Sequence, residues 1–154
     1  MYDALLPIHS LFRWLVLLSL LYSIYLSARG YFQGWQFNKS HDSFRHWTAT
    51  IVHIQLILGI LLYTKSMTVK AYFSGLPDSS ARMDPLFFGL IHILSMLAAI
   101  VLITIGSAKA KRKEDSNGKF KTMLVWFSIA LLIILLAIPW PFSPFASRPW
   151  IRNY

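Results

Sequence analysis

Four stretches of this chain carry no Asp, Glu, Lys or Arg: Trp14 to Ala28, His46 to Thr64, Pro85 to Ala108 and Thr122 to Ser147. A bilayer core needs about 20 helical residues to span its ~30 Å of hydrocarbon. The last two runs exceed that length and the second just meets it. The first does so when it extends back through Arg13 to about Pro7. Composition agrees, because 56% of the residues are hydrophobic and 14% are charged, against roughly a quarter charged in soluble domains. The expected architecture is an all-α, integral membrane four-helix bundle. It forms a single transmembrane domain over residues 1–154, with helices at about Pro7–Arg29, Arg45–Lys65, Pro85–Ala108 and Lys121–Ile138. No separate soluble domain is expected. The first run reads as a retained helix rather than a signal peptide: Asp3 precedes it, no Lys or Arg comes before Arg13, and no small-x-small cleavage site follows.

Charge orients the bundle. The net charge is +9, and its distribution matters more than its size. Lys109, Lys111, Arg112, Lys113, Lys119 and Lys121 fall between helices three and four, and Arg29, Lys39 and Arg45 between helices one and two. Lys65, Lys70, Arg82, Arg148 and Arg152 belong to the opposite face. Nine basic residues against five put the two basic loops in the cytoplasm and both termini outside. Anionic headgroups suffice as partners for that cluster. Nucleic acid is not expected, since no aromatic-basic platform or reader motif accompanies the charge. Cysteine is absent, which excludes disulfides and thiolate metal sites.

The connections carry turn chemistry. Gly30–Phe44 reads as a polar loop with interfacial aromatics, and Ser66–Asp84 as a turn cluster around Gly75, Pro77, Asp78, Ser79 and Ser80. Asp84 followed by Pro85 predicts an N-cap and a first helical residue. Ser116-Asn117-Gly118 predicts a tight turn, and Pro139-Trp140-Pro141 a helix stop with an interfacial indole.

Three of the five histidines, His9, His53 and His92, lie inside the apolar segments. An ionisable side chain in hydrocarbon is costly and marks a candidate functional site. Neutral imidazole is also the commonest metal ligand, and haem iron takes histidine axially. Helical spacing puts His9, Arg13, Val16, Leu20, Ser23 and Ser27 on one stripe of helix one. It puts His46, Thr50, His53, Ile57 and Ile60 on one stripe of helix two, and Gly89, His92, Met96, Ala99, Ile103 and Gly106 on one stripe of helix three. Depths reckoned from the helix ends bring all three histidines into the same half of the bilayer or near its middle. His53 with His92 is the expected metal-ligating pair, being the deeper two; His9 with His92 is the alternative. Arg13 has no acidic partner in the expected helices, so it either snorkels to headgroups or binds an anion such as a haem propionate. Gln55 falls on another face and reads as an interhelical hydrogen-bonding residue. Each histidine alone could equally be satisfied by a neighbouring carbonyl or hydroxyl. Zinc fits less well than haem without carboxylate or thiolate, and copper would draw on Met96. His41 and His46 belong to the membrane edge.

The segments HSLFRW at His9 to Trp14, HIQLILGILLY at His53 to Tyr63, IHILSMLAAIVLITIG at Ile91 to Gly106 and AIPWPF at Ala137 to Phe142 resemble a family of small four-helix membrane proteins from Bacteroidetes, described as cytochrome b or cytochrome b-like. The resemblance covers nearly the whole chain. It implies a multi-pass protein of the bacterial inner membrane with haem b as cofactor, held through His9, Arg13, His53 and His92. The expected function is single-electron transfer, with a quinone and a larger membrane protein complex as candidate partners and a homodimer as one candidate assembly. No catalytic residue is expected, because the helices offer no carboxylate for acid/base work. The rival readings are a cofactor-free structural or assembly subunit, and a small transporter using the histidines as a relay.

Overall fold

A computed structural model describes residues 2–75 and 83–150, all of whose regular structure is helical. Helix α1 (Tyr2–Gln33) is followed by α2 (Lys39–Lys65), the short α3 (Met67–Ser74), the three-residue α4 (Asp84–Leu86), a π-helical turn (Phe87–Ile91), α5 (His92–Arg112) and α6 (Ser116–Ala137). The segment from α4 through α5 is one continuous rod, Asp84–Arg112. With α1, α2 and α6 it makes four helices long and apolar enough to cross a membrane. The membrane four-helix bundle is thus the fold.

Several boundaries differ from the expectation for identifiable reasons. Helix α1 begins at Tyr2 and runs through Pro7, because a proline near a helix start removes only a bond from the first turns. Helix α2 starts at Lys39, capped by a reciprocal box in which Asn38 Oδ1 accepts from the His41 N–H at 3.1 Å and His41 Nδ1 accepts from the Asn38 N–H at 3.2 Å. His41 therefore serves as a cap. Ser116-Asn117-Gly118 is not a turn but the first turn of α6, with Asp115 as its N-cap accepting from the Gly118 N–H at 2.6 Å. Gly118 is required there, since a Cβ would lie 2.6 Å from the Asp115 carboxylate. The Ser66–Asp84 loop contains an unforeseen helix, α3, capped by Ser66 and closed by Gly75 at φ 61°. Pro77–Ser80 and Arg82 of that loop, and Arg152 and Tyr154 at the chain end, lie outside the described residues. Asp84 is not an N-cap: Met83 holds that position, and the Asp84 side chain makes no capping bond.

Around the bundle, α1 packs between α2 and α6, while α5 packs against α6 and, more loosely, α2. Helices α1 and α5 consequently face each other across the centre. The core runs through Leu20, Ala99, Ile103, Phe127 and Ala130, all fully buried, while Leu18, Leu132 and Leu136 point outward to lipid. Small residues let the helices close up: a Cβ on Gly30 would lie 2.5 Å from the Phe120 ring, and one on Gly106 would strike Trp126. A polar seam crosses the basic end. Arg45, expected at the exposed start of helix two with its charge counted among the loop cations, is buried in α2, where its Nε donates to Asp42 at 2.8 Å and its Nη1 to Ser107 Oγ at 2.6 Å. Ser23 and Thr48 share a hydroxyl bond at 2.7 Å. No fully buried polar side-chain atom of that seam lacks a partner among the described residues, as a structural seam requires.

After α6 the chain turns at Pro139 and folds back over the end that also holds Tyr2. Trp14, Trp140 and Trp150 form an aromatic cluster there, with ring centroids 5.3–6.2 Å apart. Arg148 Nη2 donates to Asp84 Oδ2 at 2.7 Å, tying the tail to α4.

Candidate functional site

The bundle splays at the end where the tail returns, leaving a cavity of about 230 Å³. That is just below the roughly 300 Å³ at which small-molecule pockets begin. Its walls are mostly aliphatic. Polar groups reaching it include His9, Ser10 and Arg13 from α1, Gln55 and Tyr63 from α2, Ser66 and Thr68 at the start of α3, His92 from α5 and Arg148 from the tail. Met96 lies one turn below His92 on the same wall.

His92 is the best-anchored of these. Its Nδ1–H donates to the Ala137 carbonyl at 2.8 Å, which is the last residue of α6. A carbonyl can only accept, so Nδ1 carries the proton and Nε2 keeps the lone pair. Metal-ligating histidines are oriented by the same kind of bond on their other nitrogen. The π-helical turn immediately precedes His92, whose N–H reaches the Phe87 carbonyl five residues back. Such turns cluster at functional sites because they re-aim the following residues. The irregular backbone is braced from two sides: Tyr63 OH donates to the Gly89 carbonyl at 2.7 Å, and Gly89 gives room to Tyr72, whose ring atoms would sit 2.6 Å from an added Cβ.

His9 leans toward α2. Its Cε1 would lie 3.4 Å from a Cβ on Gly59, and the Gln55 amide donates to the His9 carbonyl at 3.0 Å and approaches its Nε2 at 3.4 Å. Gln55 is the interhelical hydrogen-bonding residue its helix face implied. Yet His9 Nδ1, Gln55 Oε1 and Arg13 Nε are all buried with no partner among the described residues. Three orphaned polar atoms beside one cavity are unusual, because an unmade bond on a buried group costs about 1–3 kcal/mol. Arg13 otherwise donates from Nη2 to the Trp150 carbonyl at 2.8 Å and lies 5.5 Å from the Trp14 ring centre. No carboxylate pairs with it among the described residues. The observed helices do include Asp3, Asp42 and Asp84, unlike the shorter ones expected, but none lines the cavity.

His53 is elsewhere. It is exposed on the outer surface of α2, where its Nε2 meets Thr104 Oγ1 of α5 at 3.1 Å. The structure therefore brings His9, Arg13 and His92 to one cavity and leaves His53 off its lining, so of the two expected pairs only His9 with His92 shares a cavity. The reason is register: the inward stripe of α2 is Val52, Gln55, Leu56, Gly59, Leu62 and Tyr63, not the one through His53. Sequence reasoning also passed over Arg148, Tyr63 and the π-helical turn. Gly59 and Gln55 at helical spacing were the available signal for the true face. His46 is exposed at the basic end, away from the cavity.

No cluster of three or more histidine, cysteine or carboxylate side chains suited to a free metal ion occurs among the described residues. The chain matches no protein-family model, no curated protein and no solved structure.

Proposed function

We propose that this protein is a small b-type cytochrome of the bacterial inner membrane, holding one haem in the cavity at the termini end and passing single electrons to a larger membrane complex. The observation that carries this reading is the pair of imidazoles, His9 and His92, lining one cavity from helices that face each other across the bundle. The fit is one of donor chemistry. His92 Nε2 is left with its lone pair by the Ala137 bond, and the lone pair of His9 is on Nε2, which accepts from the Gln55 amide at a long 3.4 Å and would exchange that bond for the iron. The walls are mostly aliphatic, and the guanidinium of Arg13 stands beside them with no counter-ion among the described residues, which suits an anionic propionate. An iron held by two histidines has no open position and favours electron transfer. The chain's own part is to keep both rings neutral and oriented, exclude water with aliphatic walls, and hold a positive charge at the mouth.

The test is an absorption spectrum of the protein purified from haem-replete cells, oxidised and dithionite-reduced. Sharp reduced α and Soret bands are expected. His92→Ala and His9→Ala should each abolish the six-coordinate low-spin spectrum, while His53→Ala should leave it intact. A colourless wild-type protein overturns the reading in favour of a cofactor-free structural subunit.

A further inference from the structure

The tail after α6 has two parts that are held differently. The turn over residues 139–143 belongs to the helix it leaves: the Trp140 N–H donates to the Ile138 carbonyl at 2.9 Å, its indole Nε1 to the Leu135 carbonyl at 2.8 Å, and the Ser143 N–H to the Trp140 carbonyl at 3.0 Å. Beyond it, among the described residues, no backbone–backbone hydrogen bond joins residues 144–150 to any other element. Pro144 and Pro149 have no N–H to offer. Two fastenings made by side chains hold this segment instead. Arg148 Nη2 donates to Asp84 Oδ2 at 2.7 Å, and its guanidinium carbon lies 4.9 Å from the Phe88 ring centre. At the far end the Trp150 carbonyl accepts from Arg13 Nη2 at 2.8 Å and from Trp14 Nε1 at 3.3 Å. Both fastenings border the cavity, since Arg148 and Pro149 line it from the tail and Ser10 and Arg13 from α1.

We propose that residues 144–150 are a strap hinged on the turn at 139–143, that the Arg148–Asp84 pair is its catch, and that the cavity is loaded from this end, when the strap lifts, by a ligand with an anionic end. Lifting it exchanges side-chain contacts alone and unravels no helix. The other way in, between α2 and α5, is walled by Val52, Leu56, Met96 and Ile100, an apolar passage that a charged group crosses only at high cost. The guanidiniums of Arg13 and Arg148 stand instead beneath the strap, where an incoming carboxylate or phosphate meets them first. The same two groups pin the strap, so an anion at the mouth competes with Asp84 and with the Trp150 carbonyl for them. Asp84 biases the strap toward closure. Its Oδ1 is buried with no partner among the described residues, so a departing Arg148 leaves a buried carboxylate with no counter-charge. The inference rests on the cytochrome reading only in taking the cavity as a binding site; it concerns how the cavity is reached, whatever fills it.

The chain has no cysteine, so one introduced thiol reports access without background. Ser10 is the place for it, because it lines the cavity and its Oγ lies 3.4 Å from the Arg13 nitrogen that holds Trp150. The full chain carrying Ser10→Cys, in nanodiscs, is treated with two methanethiosulfonates, one bearing a sulfonate and one a trimethylammonium, so that a change in access is separated from a change in local charge. Arg148→Gln and Asp84→Asn, each added to that background, should speed the reaction with both reagents about tenfold or more, as loss of a charged hydrogen bond implies. Exchanging the pair, Asp84→Arg with Arg148→Asp, should restore the slow rate, which a chain that had merely lost its fold would not do. The strap is overturned by equal rates in all four backgrounds, by acceleration with one reagent alone, or by an exchanged pair as fast as the single variants. Haem content of the same samples separates this result from the cytochrome reading. Slow labelling restored by the exchange in a colourless protein sinks that reading and leaves the strap; a haem spectrum with unresponsive labelling does the reverse.

Discussion

Arg13 is the residue with the most to lose from an empty cavity. Its Nη2 has found the Trp150 carbonyl, and its charge rests against Trp14, but its buried Nε has no acceptor among the described residues. A carbonyl neutralises no charge, so the cation is still available to an anion in the mouth. Under the cytochrome reading, Arg13→Ala should weaken haem retention about tenfold or more, since a hydrogen bond to a charged group contributes roughly 1.5–3 kcal/mol. It should also lower the midpoint potential, because a nearby positive charge favours the reduced, more electron-rich form. A redox titration of the variant checks this, and an unchanged potential with normal haem content would return Arg13 to a purely structural role. His9 and His53 make the complementary point. Both are single histidines in apolar helices, and only the neighbours tell them apart: Gly59 and Gln55 receive His9, while Ile54 and Ile57 flank a His53 that looks outward.

Among the elements, periodicity read α1 and α5 correctly. Their stripes through Val16, Leu20, Ser23 and Ser27, and through Ala99, Ile103 and Gly106, are the buried ones. Helix α2 misled because two stripes compete on it. The histidine-bearing one continues beyond His53 into the exposed aliphatics Ile57 and Ile60, whereas the inward one carries Arg45, Thr48, Val52, Gln55, Gly59 and Leu62. In a membrane, small and polar residues mark the interior and bulky apolar ones the exterior, which reverses the habit learned from soluble helices. The π-helical turn was not legible, since FFGLI has no local pattern that distinguishes it from α-helix. Helix α3 hid behind its turn residues: Ser66 and Gly75 punctuate a helix rather than a loop. The same logic of close approach makes a stability prediction. Gly30→Val would drive two methyls into the Phe120 ring at the α1–α6 contact, and overpacking of this kind costs about 1–3 kcal/mol. A lowered unfolding midpoint in mixed SDS micelles is expected, with little change when Gly34, whose surroundings are open, is replaced by Asn.

At the scale of the molecule, the two ends of the bundle differ in kind. One end is cationic, with Arg29, Lys39, Lys109, Lys111, Arg112, Lys113, Lys119 and Lys121 outside the core once Arg45 is recognised as buried. The other is aromatic and holds the cavity. This polarity predicts both termini on the periplasmic side, with the cationic end against the anionic inner leaflet. A reporter fused after Tyr154 should be active when it is one that works only in the periplasm. Activity solely from a cytoplasm-dependent reporter would invert the molecule.

The return of the tail sets an order of events during synthesis. His9 leaves the ribosome first among the cavity residues, His92 follows, and the Ala137 carbonyl that orients His92 arrives with the last helix. Arg148, which fastens the tail across Asp84, comes later still. Chains build from the N-terminus, so for most of translation the cavity has its walls but neither its orienting bond nor its cover. Residues 139–150 then fold back across it. A ribosome stalled before Ala137 leaves the imidazole of His92 unaligned.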